Sequence, residues 1–115
     1  MVISQGEVWW AALSDPSGSG PGFRRPIVVL QSDEITRGRI RTVICAPLTS
    51  NLGWERAPGN VRLNTEDTGL PADSIANVSL ILSADKHSLV KRVSKISRRK
   101  LELMYDGLDL ILGRK

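Results

Sequence analysis

The chain has one cysteine and one histidine in 115 residues. A lone thiol, Cys45, cannot close an internal disulfide, and the expected compartment is the reducing cytoplasm. Because Cys45 lies inside an apolar strand, it reads as a small core side chain rather than a nucleophile. The single imidazole, His87, excludes a nuclease built on two histidines. It sits in the polar run Ser83-Ala84-Asp85-Lys86-His87, where a solvated turn is the plain reading, and a His-bearing triad would have to recruit that loop. No CxxC, HExxH or clustered-carboxylate pattern occurs, so neither a metal nor a cofactor is expected. Aromatics make up only 4%. No apolar run approaches the roughly 18–20 residues of a membrane span. The stretch from Met1 to Glu7 lacks the basic and apolar regions of a secretory signal. The length is expected to give a single domain, 1–115, with a single core.

What the chain does have is positive charge. Sixteen Lys+Arg face twelve Asp+Glu, giving a net +4 and a pI near 9.7, which suits a phosphate-bearing or acidic partner. Two of these cations stand against a proline in Gly22-Phe23-Arg24-Arg25-Pro26-Ile27-Val28-Val29-Leu30-Gln31-Ser32. Just before them, Asp15-Pro16-Ser17-Gly18-Ser19-Gly20-Pro21-Gly22 reads as a flexible loop. Its GSGPG run lacks the lysine and the strand–loop–helix context of a P-loop. A loop meeting a strand at a pair of arginines is a place to hold an anion.

Strands are expected at Glu7–Leu13, buried on both faces, and at Pro26–Gln31, with Pro26 first because it has no N–H. Others are expected at Ile40–Leu48, Asn60–Leu63, Ser74–Leu82 and Leu89–Val93, with a bulge or sheet edge near Pro47. A long polar loop, Thr49 to Gly59, follows the third strand. From Ser97 the apolar positions Leu101, Met104, Leu108, Ile111 and Leu112 recur at helical spacing, between an N-cap at Ser97 and a stop at Gly113. The expected architecture is five or six mostly antiparallel strands and one packed helix, a barrel-like α+β domain.

The residues left to carry chemistry are Arg25 and Thr49. Around them, Gly6-Glu7-Val8-Trp9, then Arg25-Pro26-Ile27-Val28-Val29-Leu30-Gln31-Ser32-Asp33, then Val43-Ile44-Cys45-Ala46-Pro47-Leu48-Thr49-Ser50 follow one another. Pro58-Gly59-Asn60-Val61 and Leu70-Pro71-Ala72-Asp73-Ser74 continue the series. In order and spacing these runs resemble the MazF/PemK toxins of bacterial toxin–antitoxin modules over nearly the whole chain. The resemblance implies a small antiparallel SH3-like β-barrel with a C-terminal helix, of the CcdB/MazF type. It also implies a homodimer, a sequence-selective and metal-independent endoribonuclease acting on single-stranded RNA (mRNA, or tRNA or rRNA), and a MazE-like antitoxin with an acidic disordered tail. It maps the active-site arginine and threonine onto Arg25 and Thr49. Many members carry a Glu-Gln-x-Arg-like run where this chain reads Asn77-Val78-Ser79-Leu80-Ile81-Leu82. Neither base preference nor an acidic assistant carries over from that strand.

The chemistry is sound on its own terms. RNA supplies its own nucleophile, the 2′-hydroxyl, so a protein need only align it and stabilise charge building on the phosphoryl oxygens. A guanidinium matches a phosphate in shape and donates bidentately. Arg25 is expected to clamp that charge, and Thr49 to hydrogen-bond the 2′-hydroxyl or a phosphoryl oxygen. Arg24, Ser50, Trp54, Asn77 and Ser79 are candidate RNA contacts, Trp54 by stacking on a base. The basic group Lys91, Arg92, Lys95, Arg98, Arg99 and Lys100 reads as a solvated face or as a dock for RNA phosphates or an acidic antitoxin tail. Two other readings stand beside the nuclease: a non-catalytic toxin of the same fold that poisons DNA gyrase, and a plain RNA-binding barrel. Neither needs Arg25 together with Thr49.

Overall fold

The computed structural model describes residues 2–13 and 23–114, and the loop expected at residues 15–22 lies outside them. The described strands are β1 (Glu7–Leu13), β2 (Phe23–Val29), β3 (Thr42–Thr49), β4 (Val61–Leu63), β5 (Ser74–Ala76), β6 (Leu82–Asp85) and β7 (Leu89–Lys95). Helices α1 (Asp33–Thr36) and α2 (Thr65–Thr68) are single turns, and α3 (Arg98–Ile111) is the long C-terminal helix. Three 3-10 turns fill Leu52–Arg56, Val78–Leu80 and Lys86–Ser88. The strands form one curled antiparallel sheet in the order β4-β5-β3-β2-β1-β7, with β6 also on β3. No described helix is long and apolar enough to cross a membrane.

Both faces of the central strands are apolar, which is why β1 and β2 read as continuous hydrophobic runs. Alternation sends Val8 and Val28 to one face, where Leu48, Leu63, Leu101 and Met104 join them, and Trp9, Ile27 and Val29 to the other, with Cys45 and Leu89. The first cluster is covered by α3. Ser97 Oγ accepts the Lys100 N–H at 3.2 Å to start that helix, and Gly113, at φ 73°, ends it. Its buried stripe is Leu101, Met104 and Gly107, and a fully buried side chain such as Met104 contributes about 1.5–3 kcal/mol. Tyr105 adds a polar tie, donating to Leu30 O at 2.7 Å and accepting from Gln5 Nε2 at 2.6 Å. Burial pushes its hydroxyl above the ordinary tyrosine value. At the far side α3 meets the loop before β4 at a glycine pair. A Cβ on Gly107 would fall 2.0 Å from Gly59 O.

Several elements depart from the sequence expectation, the third strand only by running over Thr42–Thr49 rather than Ile40–Leu48. β2 begins at Phe23, so Pro26 sits within the strand rather than first in it. It is tolerated because β2 has only β1 beside it there; pairing with β3 begins at Ile27↔Pro47. The expected strand Ser74–Leu82 is two strands, with β5 against Leu48 and Thr49 and β6 against Thr42 to Cys45. Pro47 stands between those two sets of partners with no N–H to give, and the chain turns through Val78–Leu80 to pass it. The last strand runs on to Lys95. The one-turn helices were missed because four residues hold no periodicity. Only their caps mark them: Ser32 accepting from the Ile35 N–H, and the Asn64–Asp67 capping box.

Candidate active site

The site forms where two neighbouring strands part. β3 ladders with β2 through Val29↔Cys45, Val28↔Ala46 and Ile27↔Pro47. Its last residues, Leu48 and Thr49, pair with Ala76 and Ile75 of β5. In the other direction β2 continues beside β1 alone, with Arg25 opposite Ala11 and Arg24 opposite Ala12. At the fork Pro26, next on β2 after Ile27, has no N–H to carry the pairing with β3 further. The opening is a groove of about 350 Å³. Trp10, Pro26 and Leu48 line it together with Leu70, Pro71, Ala72 and Ser74, and it is bordered by Arg24, Arg25, Thr49 and Ser50.

Strand alternation sends Arg24 and Arg25 from opposite faces of β2. Both reach the groove because that margin of the strand has no neighbour. The Arg25 guanidinium lies 5.4 Å from the Phe23 ring centroid, a cation–π contact worth about 0.5–1 kcal/mol at an exposed site. Arg25 also borders a second depression, of about 480 Å³, with Phe23, Leu82, Ser83 and Ser88. Among the described residues neither Arg24 nor Arg25 has a carboxylate partner, whereas Arg62, Arg92, Arg98 and Arg114 each have one. Thr49 Oγ1 accepts the Asn51 N–H at 3.1 Å, and Asn51 Oδ1 accepts the Gly53 N–H at 3.1 Å. These two local turns hold the threonine hydroxyl by its acceptor side and leave its hydrogen to donate into the groove.

Four of the residues singled out in the sequence, Arg24, Arg25, Thr49 and Ser50, thus meet at one opening. Trp54 is 43% exposed on the Leu52–Arg56 turn, and Ser79 is exposed on the Val78–Leu80 turn; neither lines the groove. The reading of Asn77 as an RNA contact is corrected. It is 4% exposed, its Oδ1 accepts from Asn60 Nδ2 at 2.8 Å, and its N–H bonds Pro47 O at 3.0 Å. It is a strut that holds the chain against β3. Phe23 was missed; its signal was its place two residues before Arg25, on the same face of an extended strand. Burial pushes the Cys45 thiol up to about 12, so it is inert near neutral pH. His87 is exposed, away from the groove, on the Lys86–Ser88 turn. Among the described residues no three His, Cys, Asp or Glu side chains gather where they could hold a metal ion.

Glu7, which the sequence offered only as part of a pattern, is an architectural latch. It is 6% exposed and accepts from the Ser4 N–H at 2.7 Å, from the Trp9 indole at 3.0 Å and from Arg92. Burial pushes its carboxyl up; Arg92, Ser4 and Trp9 outweigh that and leave it below the ordinary glutamate value.

Solved structures define the fold. A MazE–MazF crystal structure from Deinococcus radiodurans aligns over 100% of this chain and 99% of its own, with TM-score 0.81 at 22% identity. A mycobacterial endoribonuclease in complex with its cognate antitoxin aligns over 98% of this chain and 97% of its own, with TM-score 0.77 at 18% identity. Sequence then gives the family. Residues 4–112 match the PemK-like, MazF-like toxins of type II toxin–antitoxin systems, and the chain belongs to that family. Among curated relatives, Endoribonuclease MazF6 of Mycobacterium tuberculosis is 43% identical over 112 residues, 97% of this chain and 98% of that protein. Endoribonuclease EndoA of Bacillus subtilis is 27% identical over 113 residues, 98% of this chain and 97% of that protein.

Proposed function

We propose that this toxin is a sequence-selective, metal-independent endoribonuclease that cuts single-stranded RNA at the fork between β2 and β3. The observation that carries the reading is the convergence of Arg25 and Thr49 on one groove, Arg25 having no carboxylate partner among the described residues. The names of the curated relatives support it. In the reaction the 2′-oxygen bonds to phosphorus and loses its proton, while the bond from phosphorus to the 5′-oxygen breaks and that oxygen takes up a proton. The products are a 2′,3′-cyclic phosphate and a 5′-hydroxyl. Arg25 donates to the phosphoryl oxygens as negative charge builds on them. A guanidinium keeps its proton in proteins, so the clamp holds its charge throughout. Thr49 donates to the 2′-hydroxyl or to a phosphoryl oxygen, and Arg24 and Ser50 hold the flanking backbone.

The working unit is a homodimer in the cytoplasm. Its support is the apolar surface left on the outer side of α3, where Leu103 is 40% exposed and Leu110 53%. An antitoxin with an acidic tail neutralises the toxin; the basic charge and the antitoxin complexes of the structural neighbours support this. The test is to incubate the purified protein with a long RNA in excess EDTA and map every new 5′ end. Cuts at a recurring motif that leave 5′-hydroxyls, and no cut where the scissile nucleotide carries 2′-deoxyribose, are the expected result. Cutting of that deoxy site, or activity that returns only on adding a divalent metal, overturns it.

A further inference from the structure

A second cationic cleft lies at the opposite end of β3. It opens between the α1–β3 loop and the β6–β7 turn, encloses about 650 Å³, and is lined by Arg39, Ile40, Arg41, Lys86 and His87 beside Ile3. Two bonds hold its walls together: the Lys86 N–H to Arg41 O at 2.9 Å, and the Lys86 ammonium to Thr36 O at 2.5 Å. Arg37, Arg39 and Arg41 are exposed, and among the described residues none of the three has a carboxylate partner. The arginines engaged with a carboxylate among the described residues (Arg62, Arg92, Arg98, Arg114) lie elsewhere. Asp85 is the one acidic residue among the lining residues, and its Oδ1 is engaged by the His87 N–H at 2.8 Å. Asp33 and Glu34 lie on the adjoining α1, where Asp33 accepts the Gln5 N–H at 2.7 Å. Three guanidinia within five residues repel one another until an anion shares them.

We infer that this cleft holds a second stretch of the RNA backbone, remote from the scissile phosphate. The inference rests on the RNA-cutting reading above. The chemistry favours RNA: guanidinia spaced along a loop suit successive phosphates, which they grip bidentately without reading sequence. Position favours it too. β3 runs from Thr42, beside the cleft, to Thr49, in the groove, and seven strand steps span about 23 Å. Only an RNA that extends well past the cut reaches both places. The enzyme therefore prefers long RNA over a short oligonucleotide carrying the same cleavage motif.

The test combines Arg37→Ala, Arg39→Ala and Arg41→Ala and measures cleavage of both substrates over a range of salt. For the long RNA, KM is expected to rise roughly tenfold and the salt slope to fall by about 2, the loss of three single-strand phosphate contacts. For the short oligonucleotide both kcat and KM stay at the parent values. A lysine version of the triple, which keeps the charge, restores most of the long-RNA affinity. An unchanged KM and salt slope on long RNA overturns the inference, and so does equal weakening on both substrates. Retained long-RNA binding with lost affinity for an acidic antitoxin peptide also overturns it, and assigns the cleft to a protein. If the parent cuts neither RNA, the nuclease reading fails, while filter binding of uncut long RNA still decides this one.

Discussion

Arg25 and Arg92 stand on the strands either side of β1, opposite Ala11 and Trp9, and meet different company. Arg92 reaches a carboxylate, Glu7, that is buried and held by two further N–H groups. Arg25 reaches an aromatic ring and an opening. The first arginine completes a set of bonds inside the fold. The second is held on one side by Phe23 and open to the groove on the other, which under the proposed function gives an incoming phosphate a donor already in place. Charge is neutralised where it builds the sheet and left without a carboxylate partner, among the described residues, where it borders the groove.

The sharpest way to break this contrast is to truncate each arginine and read both stability and rate. Arg25→Ala is expected to lower the cleavage rate by about 10²-fold or more, the scale of losing one preorganised donor, with stability lowered by no more than about 0.5–1 kcal/mol, the worth of its ring contact. A marked loss of stability instead would make Arg25 architectural too. Arg92→Ala is expected to do the reverse. It strands the Glu7 carboxylate and costs about 2 kcal/mol in urea unfolding, less than a fully buried pair because half of the Arg92 side chain is in water. Activity per folded molecule stays at the parent level.

Acid titration sharpens the same point. The Glu7 carboxyl is lowered in the folded state, so its stabilisation is complete above the unfolded glutamate value of about 4.3 and fades as pH falls through the lower folded value. Unfolding free energy measured from pH 6 down to 3 should drop less steeply in Arg92→Ala than in the parent.

Thr49→Val removes a single hydroxyl and should slow cleavage about tenfold, the worth of one hydrogen bond of roughly 1.4 kcal/mol. Parent-level kinetics would show that the threonine only shapes its loop. Arg24→Ala is expected to have the smallest effect, a few-fold rise in KM and a salt slope lower by about 0.7, with kcat unchanged.

The residues that meet at the groove were more legible in the sequence than the path of the chain around them. Arg25 and Thr49 were visible because charge and hydroxyl at the ends of apolar runs serve no core. The long helix was visible because Leu101, Met104 and Leu108 repeat. The break in Ser74–Leu82 was not, because its cause is the missing N–H of Pro47 on another strand. Asn77 looked like a polar residue on a strand face, but its role is set by Asn60, seventeen residues away. Phe23 fell between the expected loop, ending at Gly22, and the expected strand, starting at Pro26 because that residue has no N–H; only the absence of β3 at that point permits an earlier start. The cationic cleft at the far end of β3 was equally hidden, because its walls come from two turns about 45 residues apart, joined by Lys86.

The contact of Gly107 with Gly59 bears on any genetic screen of this toxin. Selecting cells that grow despite its expression returns every change that abolishes toxicity, whatever the cause. No side chain fits at Gly107, where a Cβ would fall 2.0 Å from Gly59 O, and Gly59 itself holds φ +82°. Survivors will therefore accumulate at these two codons alongside Arg25, although neither glycine borders the groove. Immunoblots of the survivors separate the two kinds: Arg25 variants persist as abundant, harmless protein, while the glycine variants are cleared by the cell's proteases.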